Sequence, residues 1–322
     1  MKSRRVSFIP RTLTQTPANS VKGKLSNQTA GRKRKGKNIF NVAYRQPANN
    51  ITGDETDTSE RPKRNRQQEI LSEVATRASE RRKRIREMIT DFTSSSDQHS
   101  NSVDPLPGAV DQLSDPTFER TLPFPFVGSE APVRFKVIEG NWQYVGRTKF
   151  KELLQELKKV QESEVYSTLW LYGTQGYGKS HLLAALVCYL AAQDETVVYI
   201  SDCRALIEDP VEYVRAAMLF AWADDITIQK EILTLNTLEE IENFFMSKRN
   251  VIFVIDQMNA LEKEKGEKLS AWIKRFTFRN KKVHSSFPNN TDYHEQAENE
   301  NQHSFLHVYG GLTEVSHRKI MS

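Results

Sequence analysis

The chain has 322 residues, room for one or two domains, but only 38% are hydrophobic and the mean hydropathy is -0.61, too low for a packed core throughout. No apolar stretch approaches the roughly 18 residues of a membrane span, and Met1-Lys-Ser-Arg-Arg-Val-Ser-Phe8 lacks the apolar run of a secretory leader, so neither a span nor secretion is supported. The total charge of +5 hides a split, because residues 1–50 hold twelve Lys and Arg and no Asp or Glu, and residues 101–322 are net acidic.

Residues 1–66 are polar, basic and without apolar period, which predicts a disordered basic arm. Its compact runs, Gly31-Arg-Lys-Arg-Lys-Gly-Lys37 and Arg61-Pro-Lys-Arg-Asn-Arg66, suit an import signal, a phosphate-binding arm or a plain solvated tail. Residues 67–92 place Ile70, Val74, Ala78, Ile85, Met88, Ile89 and Phe92 near helical spacing around the run Glu80-Arg-Arg-Lys-Arg-Ile-Arg86. That predicts one basic amphipathic helix, solvated and weakly packed, since charge runs usually mark exposure. Residues 93–121, with Thr93-Ser-Ser-Ser-Asp97 and Asp104-Pro-Leu-Pro107, are expected to be a linker.

A folded core is expected over 122–322. Pro132-Val-Arg-Phe-Lys-Val-Ile138 alternates as a short strand does, and Lys149 to Val160 is helical in period. Apolar runs of strand length follow at Thr168–Tyr172, Thr196–Ile200 and Val251–Ile255, separated by helical patterns near residues 180–193, 210–223 and 238–248. Lys281 to Ser286 and Phe305 to Tyr309 complete the set of strands. The alternation predicts an α/β fold, a three-layer P-loop architecture on a parallel sheet buried on both faces. Cys188 and Cys203 have no metal or CxxC spacing and are expected as core thiols.

Gly173-Thr-Gln-Gly-Tyr-Gly-Lys-Ser180 matches G-x-x-x-x-G-K-[ST] directly between an apolar strand and a helical run. Backbone N–H groups of Gly173, Thr174, Gln175, Gly176, Tyr177 and Gly178 are expected to turn inward on phosphate oxygens, with the helix start at Lys179, Ser180 and His181 adding positive potential. Lys179 is placed on the outer phosphates and the Ser180 hydroxyl on magnesium. Asp256 ends the most apolar strand, where open α/β sheets bind ligands, and is the expected second magnesium ligand. Gln257 follows it, and an amide orients water without accepting its proton, so the base would be another group, Glu262 or Glu264. Asn289 or Asn290 is a candidate polar sensor near the last phosphate, although Phe287-Pro-Asn-Asn290 is also good turn chemistry. His303 and His307 have the i, i+4 spacing of a zinc pair on a helix, with no H-E-x-x-H pattern to support it.

Tyr144-Val-Gly-Arg147 resembles the hydrophobic-hydrophobic-Gly-Arg element ahead of the P-loop in AAA+ and STAND-type ATPases. That resemblance implies that Val145, Gly146 and Arg147 frame the adenine; the plain alternative is an ordinary turn. With Trp170–Ser180, Val198–Cys203, Val254–Ala260 and Val308–Glu314, the region from Leu122 to Glu314 looks like the P-loop module of Crinkler-type and retrotransposon hot-spot proteins, in which the Asp256-Gln257 pair is native. The resemblance implies ATP and Mg2+ as cofactors, a conformational switch with ATP hydrolysis, and action in a nucleus, the cell's own or a host's, with the cytoplasm as the alternative. The chain ends eight residues past Glu314, so the helical lid, its arginine sensor and the effector domain that follow in that family are expected to be absent. Expected partners are nucleotide in the core, nucleic acid and an import receptor on the arm, and a second copy by self-association, with no membrane. The alternative function is a nuclear nucleic-acid-binding protein working through its arm, with a degenerate core that does not hydrolyse.

Overall fold

The computed structural model describes residues 60–92, 106–128, 130–164, 167–173, 176–262, 265–278, 280–285 and 303–308. The arm before residue 60, most of the Ser/Thr-rich linker, Thr174, Gln175, Glu264, Asn289 and Asn290 lie outside the described residues.

Helix α1, Glu60–Asp91, begins earlier than the periodicity suggested and takes in residues 61–66. It is also not a weakly packed, solvated helix. Leu71, Val74, Ala75, Ala78, Ile85 and Ile89 are buried, and the helix lies against two helices of the core, α4 and α6, whose ranges follow. The expected linker likewise contains α2, Pro107–Ser114, opened by a proline at its first turn, and strand β1, Glu119–Pro123. Ala109, Val110 and Leu113 give α2 the apolar stripe that a linker would lack.

β1 pairs antiparallel with β2, Asn141–Val145, as a two-stranded ribbon. Between them the expected strand at 132–138 is a single 3-10 turn, Val133–Phe135, ending on Lys136 in the left-handed region at φ 46°. The alternation there did not report a sheet face: Val133 and Ile138 are 93% and 74% exposed, Phe135 is buried and Val137 is partly so.

Helix α3, Lys149–Glu162, carries an apolar stripe of Phe150, Leu153, Leu154, Leu157 and Val160. Then come β3, Thr168–Tyr172; α4, Lys179–Ala192; β4, Val197–Ile200; α5, Cys203–Glu208; α6, Pro210–Ala221; α7, Ile226–Thr234; and α8, Leu238–Ser247. The chain continues through β5, Ile252–Ile255; α9, Glu267–Thr277; β6, Lys281–Ser285; and β7, His303–His307. Short polar caps start several of these helices. Asp202, Asp209 and Asp225 accept from the first turns of α5, α6 and α7, and Thr237 with Glu240 forms a full capping box on α8.

The five parallel strands run in the order β4-β5-β6-β3-β7. β3, β4 and β5 are apolar on both faces because both are covered, whereas β6 and β7 carry Lys, His and Ser beside their apolar residues. On one face Phe253 of β5 packs on Phe245 of α8 and Phe276 of α9, with ring centroids 5.1 and 5.4 Å apart. Ser304 of β7, which the register puts on the other face, donates to Glu156 of α3 at 2.9 Å, and α3 lies against α4. α4 is apolar all round, with Leu182 through Ala191 buried, and forms the centre of its layer. The order inserts β6 between β3 and β5, and the carboxyl ends of β3, β4, β5 and β6 lie at one edge, where α/β sheets present their ligand crevice.

Candidate functional site

β3 delivers the loop of residues 173–178 to that edge, and α4 begins at once. Gly178 caps α4 with φ 79°, a left-handed conformation that favours glycine, and a Cβ built there would overlap the Arg147 guanidinium. Lys179 is 6% exposed, and its ammonium donates to the Gly173 carbonyl across the loop. Burial lowers its pKa to about 8, against a smaller opposing effect of Asp256. Asp256 is thus close enough for its charge to act on Lys179. Ser180 lies in the first turn of α4, half-buried.

Asp256 follows β5 directly and is 1% exposed. The Ser285 hydroxyl at the end of β6 donates to its Oδ1, and Arg134 Nη2 stands 2.9 Å from its Oδ2. Arg134 comes from the 3-10 turn between β1 and β2, and its other contacts fall on the end of β4. Nη1 lies 3.0 Å from Asp202 Oδ2, and Nη2 also donates to the Ser201 carbonyl. Burial opposes the charge on Arg134, yet Asp256 and Asp202 hold its pKa above the ordinary value.

Gln257 stands in the left-handed region at φ 62°, and its backbone N–H donates to Ser285 Oγ at 3.1 Å. In the amide orientation that satisfies both its atoms, the side chain accepts from Arg134 Nη1 at 2.8 Å and donates to Asp202 Oδ1 at 3.1 Å. Its amide is therefore committed to the charged cluster. Glu262 ends the turn Met258–Glu262 as an exposed side chain.

The Gly-Arg element divides. Val145 is buried at the end of β2, and Gly146 backs onto α2 so closely that a Cβ would overlap the Asp115 carbonyl. Only the Arg147 side chain reaches the loop, where burial lowers its pKa and Nε has no hydrogen-bond partner. His181 sits between Phe135 and Trp142, with ring centroids 5.0 and 5.4 Å away. Burial first, then Arg147 and Arg134, lowers its pKa to about 3, so it is neutral at ordinary pH. His303 and His307 lie on a strand, and four residues of strand separate them by about 13 Å, which removes the helical zinc pair.

Arg134, Asp202 and Ser285 were not among the predicted site residues. Ser285 was within reach of the sequence, since β6 was expected to end beside the γ-phosphate position. Arg134 was not, because it meets Asp256 from 122 residues away through a turn that resembled a strand.

A glycine loop from β3 onto α4, with an acid ending a strand two places away in the sheet, decides the fold. It is the three-layer P-loop NTPase fold. No family model and no curated protein matches the chain. Among solved structures, AMPPCP-bound DnaA from Aquifex aeolicus aligns over 53% of this chain and 48% of its own, at 15% identity and a TM-score of 0.33. A DNA replication initiation factor aligns over 53% and 48%, at 17% identity and a TM-score of 0.35. C. elegans PCH-2 aligns over 54% and 46%, at 16% identity and a TM-score of 0.33. The chain spans about half the length of each of these structures.

Proposed function

We propose that this chain binds a nucleoside triphosphate at the loop of residues 173–180 and works as a conformational switch with slow hydrolysis. One observation supports it above the others: the buried Lys179 ammonium lies across the glycine loop at the N-terminus of α4, a ready site for phosphate. ATP is favoured over GTP because Arg147 of the Gly-Arg element stands at the loop and no Asn-Lys-x-Asp guanine motif occurs in the sequence. Ser180 and Asp256 are the residues available to a magnesium ion, but both oxygens of Asp256 already receive hydrogen bonds from Ser285 and Arg134. That carboxylate does not fit a bare metal site.

Hydrolysis requires a group that takes a proton from water. Gln257 cannot do so, and its amide is held by Asp202 and Arg134. Phosphate release from ATP should therefore be far slower than the roughly 10 s⁻¹ typical of enzymes, while ATP raises the melting temperature of the wild-type chain. Rapid multiple turnover would contradict the switch.

The Crinkler-type reading, with action in a nucleus, rests on the sequence motifs and the basic runs. A second activity is favoured by the twelve cations and absent acids of residues 1–50. Phosphate contacts of such an arm give DNA affinity that falls steeply with salt. This affinity should survive Lys179→Ala and vanish when residues 1–59 are removed; affinity that persists without the arm would end that reading.

A further inference from the structure

The P-loop motifs imply a divalent cation beside Asp256, and the chain puts a guanidinium there. Arg134 Nη2 lies 2.9 Å from Asp256 Oδ2, and Nη1 lies 3.0 Å from Asp202 Oδ2. The Ser201 carbonyl and, at 2.8 Å, the Gln257 amide oxygen complete its acceptors, and Ser285 takes the remaining Asp256 oxygen. This is no loose surface pair. Asp256 is 1% exposed, and the Arg134 guanidinium lies over the ring of buried Phe135, 5.1 Å from its centroid. Phe135 in turn contacts His181 in the first turn of α4, so the cation is anchored to the helix that follows the phosphate loop.

The two occupants compete. Magnesium takes oxygen ligands at about 2.0–2.1 Å in a strict octahedron and gives up water reluctantly. A guanidinium on the same carboxylate oxygen blocks that approach and repels a second positive charge, whereas Arg geometry suits carboxylate and phosphate oxygens equally. Asp202 and Gln257 have a clear part in this arrangement: they hold the fork of Arg134 while one side of it faces Asp256.

We propose that Arg134 replaces the divalent cation at Asp256, so that this chain takes nucleoside triphosphate in its metal-free form, with Arg134 joining Lys179 and the start of α4 in meeting the phosphate charge. The proposal rests on the nucleotide-site reading above and adds to it the ionic form of the ligand and the residue that selects that form.

The test is equilibrium binding of a fluorescent ATP analogue to the full chain, with Mg2+ and with EDTA, for wild type, Arg134→Gln and Arg134→Lys. Wild-type affinity should change less than about threefold between the two conditions, and Arg134→Gln should lose about tenfold or more in EDTA and regain it with Mg2+. Arg134→Lys keeps the charge without the fork and should fall between them. A second readout needs no nucleotide. Mg2+ or Mn2+ alone should raise the melting temperature of Arg134→Gln, whose two aspartates have lost their counter-ion, and leave that of wild type unchanged.

Wild-type binding that disappears in EDTA would overturn the proposal, and that comparison requires no variant to fold. So would an Arg134→Gln chain with wild-type metal dependence and no thermal response to the ions. Absence of analogue binding by wild type in both conditions would take down the nucleotide site itself, a different result from metal-dependent binding, which would remove the role of Arg134 alone.

Discussion

Lys179 faces the phosphate loop with an ammonium that burial has made easier to deprotonate, its pKa lowered to about 8. Bound phosphate favours the charged form, so above about pH 8 nucleotide binding must take up a proton and affinity should fall as pH rises, while below it affinity should be flat. His181 does not contribute in this window, because its pKa of about 3 leaves it neutral throughout. Analogue titrations between about pH 6.5 and about pH 9.5 would show the decline, and a Lys179→Arg chain that retains binding should lose it, since Arg stays charged. A flat wild-type profile would contradict the assignment of Lys179 to the phosphate. The placement of these residues was legible in the sequence, because the glycines and Lys179 form one local motif and Asp256 ends an apolar strand. Arg134 and Asp202 were hidden, as their roles arise from ion pairs made across the sheet edge between residues far apart in the chain.

Among the elements, α1 shows where patterning misled. Its run of cations looked like a solvated face, yet Arg82 is 3% exposed and donates to the Ala221 carbonyl at 3.0 Å and to the Glu195 carbonyl at 2.9 Å. These carbonyls end α6 and follow α4, where helix dipoles favour positive charge. Arg86 adds Asp194 at 2.6 Å and Asp224 at 2.8 Å, and Arg81 donates to the Phe124 and Phe126 carbonyls. Arg81 and Arg82 thus serve backbone carbonyls and Arg86 pairs with exposed aspartates, while the stripe from Leu71 to Ile89 packs inward. Ile85→Ala, at a fully buried position, should cost about 2–5 kcal/mol in urea unfolding. Lys83→Ala, whose side chain is 73% exposed, should stay within about 0.5 kcal/mol. Equal effects of the two would mean that α1 is not part of the core. By contrast β3, β4 and β5 were readable as apolar runs, because strands covered on both faces leave a continuous signal, whereas β6 and β7 mix Lys, His and Ser with apolar residues.

At the scale of the whole molecule, the sheet order brings the ends of β3, β4, β5 and β6 together, and the phosphate loop, the Asp256 cluster and Arg134 meet only there. The ribbon of β1 and β2 contributes by presenting Arg134 on the turn within its connecting segment and Arg147 just past its second strand. A nucleotide site assembled from so many separate segments should couple ligand binding to the stability of the domain. The most direct measurement is equilibrium binding of a fluorescent ATP analogue to wild type and to Lys179→Ala, each shown to be folded by circular dichroism. Binding by wild type that weakens at least about tenfold in the variant, as expected for a lost charge-assisted contact, is the predicted result. Equal binding by the two chains, or none by wild type, would contradict a nucleotide site at the loop of residues 173–180.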